Sequence, residues 1–117
     1  MAVELLIRYK DPNRETKLIS IAGQKPYRLY WVPLSEELNQ KWIRYISNVG
    51  MHILTHLDIL PELIGELHQL RDQMLVSPSD ALQAWGPERE VKGIDLLLEQ
   101  LDYIQQNMED IADAHVG

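Results

Sequence analysis

The amino-acid sequence predicts an α+β fold, with a small N-terminal antiparallel sheet of about three strands followed by three to four helices. Three observations carry this. Apolar residues recur with a period of two over the early segments and at steps of three and four beyond them. Turn-forming residues separate the early segments in "DPNRE" and "GQKP". Proline stands where later helices would open, at Pro61 and Pro87.

The first expected strand covers residues 2–9. In "VELLIRY", Val3, Leu5, Ile7 and Tyr9 alternate with Glu4, Leu6 and Arg8. Pro12 and Asn13 suit the two central positions of the turn that follows. A second strand over 16–22 carries β-branched Ile19 and Ile21 on one face. The two read as a hairpin with a loop of about five residues, longer than the commonest kind. "YRLYWV" reads as a third strand over 27–32, with Tyr27, Leu29 and Trp31 on one face and Pro33 ending it.

The remainder reads as helix. Ser35 is the expected N-cap of a helix over 36–57, with Glu36 and Glu37 in the first turn, where the helix dipole favours acids. Leu38, Trp42, Tyr45, Ile46, Val49, Ile53 and Leu57 would form its apolar face. Gly50 opens a rival reading, in which this helix breaks and "KWIRYIS" or "MHILTHL" becomes a strand. A helix over 60–75 carries Leu60, Leu63, Ile64, Leu67, Leu70 and Met74. "VSPSD" stops it and caps a short helix over 78–85, with Ser77 ahead of Pro78. A last helix over 87–113 places Val91, Ile94, Leu97, Leu98, Leu101, Ile104, Met108 and Ile111 on one stripe. All 117 residues form one expected domain, long enough to bury a core without staples.

Composition narrows the function classes. Cysteine is absent, which excludes disulfides, Cys-ligated zinc and thiol catalysis. Phenylalanine is absent too, so three Trp and five Tyr supply all the aromatic bulk. "MAVELLIRYK" lacks the pattern of a secretory signal, and no run approaches the roughly 18 apolar residues that cross a bilayer. A cytoplasmic location with no membrane contact is therefore expected. The net charge of −7 is unevenly placed. Residues 1–34 hold six Lys or Arg against three Asp or Glu, and residues 35–117 hold five against fifteen. Such a surface repels phosphate backbones, which argues against nucleic acid, and attracts a basic protein. "YRLYW" interleaves Arg28 with aromatics and could stack bases, but the charge of the rest opposes that use.

The last helix holds the candidate partner-binding residues. Asp95, Glu99, Asp102, Glu109, Asp110 and Asp113 fall within about 100° of arc opposite its apolar stripe, with Lys92 the nearby cation. Leu96 and Tyr103 lie on a flank; exposed, they would anchor a partner, and buried, they would pack on a neighbouring helix. Six residues are accordingly expected to bind: Asp95, Leu96, Glu99, Asp102, Tyr103 and Glu109. "MHILTHLD" supplies the only metal candidates, His52 and His56, which four residues of helix would bring onto one face and four residues of strand would separate. No nucleophile motif, phosphate loop or HExxH is present, so no enzyme and no cofactor are expected. These features point to a small acidic protein-binding module, of the inhibitor or immunity type, that neutralises a basic partner. The alternatives are a self-associating accessory protein, forming a homodimer through its sheet or through Leu96 and Tyr103, and a metal-binding protein that uses His52 and His56.

Overall fold

The hairpin is the first feature that a computed structural model, which describes residues 2–117, bears out. β1 (Ala2–Tyr9) pairs antiparallel with β2 (Lys17–Gly23), with Leu5 opposite Ile19 and Ile7 opposite Lys17. Val3 pairs with Ala22 and Glu4 with Ser20, so Ile21 is an extra residue in a bulge.

"YRLYW" is helix, not strand. A helical run, α1 (residues 24–37), joins Gln24–Pro26, a π-turn at Tyr27–Trp31 and Val32–Glu37. Proline explains both ends of this outcome. Pro26 fits a first helical turn, and Pro33 has no N–H to give the Leu29 carbonyl four residues back. The wider turn, in which the Val32 N–H reaches the Tyr27 carbonyl, carries the chain past that missing bond. It buries Tyr27 and Trp31 together, rings 4.7 Å apart, and the Tyr27 hydroxyl donates to the Ile43 carbonyl at 2.7 Å. Burial pushes that hydroxyl's pKa far above its ordinary value.

The helix expected over 36–57 is broken twice. Asn39 adopts φ 58°, a left-handed position that Asn tolerates, and α1 ends before it. Ser35 lies inside α1, its hydroxyl donating to the Val32 carbonyl. α2 (Trp42–Val49) follows, and Glu66 of the next helix caps it, accepting from the Lys41 and Trp42 N–H groups at 3.2 and 3.1 Å. Burial holds the Glu66 carboxyl above its usual pKa despite these bonds. Its stabilising share is thus greatest below the unfolded carboxylate pKa and declines as pH rises through the folded value. Gly50 stops α2 at φ 71°, where a Cβ would stand 2.6 Å from the His115 ring. The rival reading is the better one here, since β3 (Met51–His52) follows at once, then 3₁₀ turns at Ile53–Thr55 and Leu57–Ile59.

α3 (Leu60–Val76) and α5 (Pro87–Gln106) are the long helices, with the short α4 (Asp80–Trp85) between them. Ser79 rather than Ser77 caps α4, accepting the Leu82 N–H. α5 stops at Gln106, seven residues short of the expected end. After a 3₁₀ turn at Met108–Asp110 the chain becomes β4 (Ile111–Val116).

The sheet therefore has four strands in the order β2-β1-β4-β3, every neighbouring pair antiparallel. Its inner face, Val3, Leu5, Ile7, Tyr9, Met51, Ile111, Ala114 and Val116, is buried in the same core as Leu63, Leu67 and Leu70 of α3 and Ile94, Leu97 and Leu101 of α5. The α+β class holds, and β3 and the first half of β4 come from segments expected to be helical.

Candidate partner-binding site

α5 presents the acidic ridge. Val91, Ile94, Leu97, Leu101 and Ile104 turn inward, so Asp95, Glu99 and Asp102 are exposed. They differ in their neighbours. Asp95 is taken up by Arg71 of α3, Nε to Oδ1 at 2.6 Å. Among the described residues, Asp102 accepts only from Gln106, one turn on, at 3.0 Å. Glu99 has no ion-pair or hydrogen-bond partner among the described residues. Glu109 lies past the end of the helix on the 3₁₀ turn, exposed, and Asp113 is in β4. The ridge is thus three carboxylates long, not six.

Leu96 is half-buried against the core. Tyr103 is occupied within the molecule. Its hydroxyl lies 2.8 Å from the Tyr9 hydroxyl and accepts from Arg14 at 3.1 Å. The Lys17 ammonium sits 4.6 Å from the Tyr103 ring centre and donates to Gln100 at 3.5 Å. Burial first, and then Tyr103, raise the Tyr9 hydroxyl's pKa. Tyr103 fastens α5 to the hairpin, and it engages two of the N-terminal segment's cations in doing so.

His52 and His56 do not form a pair. With the helix broken at Gly50, His52 stands on an edge strand against His115, ring centres 4.7 Å apart, with Asp113 at 3.4 Å. His56 Nδ1 lies 2.7 Å from the His52 carbonyl oxygen, and its Nε2 faces the Tyr45 hydroxyl at 3.4 Å. The described residues contain no group of three His, Asp or Glu able to hold an ion.

A cleft that sequence reasoning missed lies between α1, the end of α3 and α4. Its cavity of about 280 Å³ has Tyr30, Pro33, Leu34 and Leu82 among its walls, with Glu37, Gln73, Ser77 and Ser79 as its polar groups. A second hollow of about 250 Å³ shares Leu29 and Tyr30 with it and is bounded by Lys25 and Trp85. Leu29 is 52% exposed and Trp85 41%. Trp85 is nevertheless held in place. Buried Glu90 accepts the Trp85 indole N–H on one oxygen and that of buried Trp31 on the other, both at 2.8 Å. Tyr30 packs beside Trp85 with ring centres 5.9 Å apart, and the Arg89 guanidinium lies 5.4 Å from the Trp85 ring centre. The sequence signal for this cleft was three indoles needing N–H partners, with one acid five residues beyond Trp85.

Compared with family models, curated proteins and solved structures, the chain matches none.

Proposed function

We propose that this chain is a small acidic protein-binding module that occludes a basic partner, as an inhibitor or immunity-type neutraliser does. The observation that supports it is the unequal pairing of charge. Among the described residues, Arg44 and Arg71 are the cations in ion pairs with carboxylates. Arg14, Lys17, Lys41 and Arg89 lie against aromatic rings instead. Glu99 and Asp102 are left facing water with no cation among the described residues within ion-pair distance. Two uncompensated carboxylates side by side on one helix speed and orient the approach of a positively charged surface. Binding, not catalysis, is the activity these carboxylates support. Among the described residues no helix is long and apolar enough to cross a membrane, and a cysteine-free chain suits the cytoplasm.

The test is capture from a lysate of the source organism at low salt, elution by salt and identification by mass, with Glu99→Lys/Asp102→Lys as the control. The native chain is expected to retain a basic protein, and the double variant to lose at least about tenfold of it. Its folding stability should move by no more than about 0.5 kcal/mol per site, the usual range for surface positions. Equal capture by both proteins removes the ridge from the mechanism.

A second reading, self-association, is favoured by one observation. The sheet face turned away from the helices carries the cross-strand row Leu18, Leu6, His115 and His52, with Leu18 59% exposed.

A further inference from the structure

We infer that the cleft between α1 and α4 is a receptor for one arginine side chain of the basic partner. This rests on the protein-binding reading above and adds where, and by what chemistry, the partner is gripped.

The argument begins with two adjacent glutamates. Glu36 is tied to Arg44 at 3.3 Å. Glu37, one residue on, has no cation partner among the described residues and lines the cleft. Beneath it lie Pro33, Leu34 and Leu82, apolar surface suited to the methylenes of a long side chain. Tyr30 offers an aromatic ring on which a planar guanidinium stacks better than an ammonium does. Gln73, Ser77 and Ser79 supply further oxygens. A guanidinium has five N–H donors and no acceptor, so a site of one carboxylate and several neutral oxygens complements it.

Size and charge agree with this occupant. At about 280 Å³ the cavity lies just below the roughly 300–1,000 Å³ of drug-sized pockets. The neighbouring hollow, bounded by Lys25, repels a second cation, and its Leu29 and Trp85 suit an apolar residue beside the arginine. Because Glu90 fixes the Trp85 indole, that wall needs no ordering when the partner arrives.

The probe is N-acetyl-arginine methylamide, titrated into the full chain by ¹⁵N NMR, with N-acetyl-citrulline methylamide as its uncharged isostere. The arginine compound is expected to move the Tyr30, Glu37 and Ser79 amides saturably in the millimolar range. Citrulline should bind at least about fivefold more weakly, and Glu37→Gln should weaken arginine by a similar factor. Glu37 is exposed, so this variant keeps its fold. Equal binding of the two compounds, or arginine binding indifferent to Glu37→Gln, overturns the proposal. Its failure is separable from failure of the binding module, whose test depends on Glu99 and Asp102 and leaves Glu37 intact.

Discussion

Glu90 illustrates how one side chain can set a local arrangement. It belongs to the first turn of α5, where an acid reads from sequence as dipole-stabilising and wet. Instead it is 4% exposed, and each of its oxygens accepts a different indole N–H. An amide cannot replace it, since its NH₂ would confront an N–H donor. Glu90→Gln should therefore cost about 1–3 kcal/mol in urea unfolding, the usual penalty for a stranded buried donor. It should also alter Trp85 fluorescence; an unchanged midpoint would mean the two bonds contribute nothing net. The one hint, an acid five residues beyond Trp85, does not fix the role, because the partners are Trp31, far off in sequence, and Trp85, on another helix. Glu37 was hidden for a related reason. Its place in an expected first turn gave no hint that Tyr30 and Leu82 would lie beside it.

At the scale of elements, two glycines in helices show what local reading omits. Gly65 of α3 faces open space, with nothing within 4 Å of where a Cβ would stand, whereas a Cβ on Gly93 of α5 would collide with the Ile21 carbonyl oxygen. That oxygen belongs to the bulged residue of β2, so the bulge and the glycine together let helix and strand touch backbone to backbone. Gly65→Ala is expected to stabilise by up to about 1 kcal/mol through helix propensity. Gly93→Ala should destabilise, because overpacking of about 1–3 kcal/mol exceeds that gain. Thermal unfolding of the two variants reads both signs, and a stabilised Gly93→Ala would refute the close approach. β1, β2 and α3 were legible because their periodicity and their burial agree. "YRLYW" misled because its apolar residues fit a period of two as well as a widened helical turn. "IAD", the first half of β4, was absorbed into α5 because Ile111 continued that helix's apolar stripe, although Ile111 in fact pairs with Tyr9 of β1.

For the whole molecule, helices cover one face of the sheet and leave the other open. The row from Leu18 to His52 crosses all four strands there, and β2 is an unpaired edge from Lys17 onward. Light scattering after gel filtration decides what that face does. A mass near 13.6 kDa fits a monomeric neutraliser, and twice that value, abolished by Leu18→Lys, supports a homodimer. The class of the fold was readable from pattern because it depends on which periods occur, whereas the strand order depends on contacts that no local pattern encodes. The acidic ridge was readable in part: α5's exposed carboxylates follow from its period, while the pairing of Asp95 with Arg71 needed α3 beside it. β4, the last strand in the chain, lies between β1 and β3, and it joins residues 5–9 to residues 111–116. During synthesis, then, β1 and β3 must each wait with a bare edge until residues 111–116 have left the ribosome. Closing so long a loop makes sheet completion slow. In that interval the nascent protein is most exposed to strand-to-strand aggregation, and it is then, not after folding, that chaperones would matter most to it.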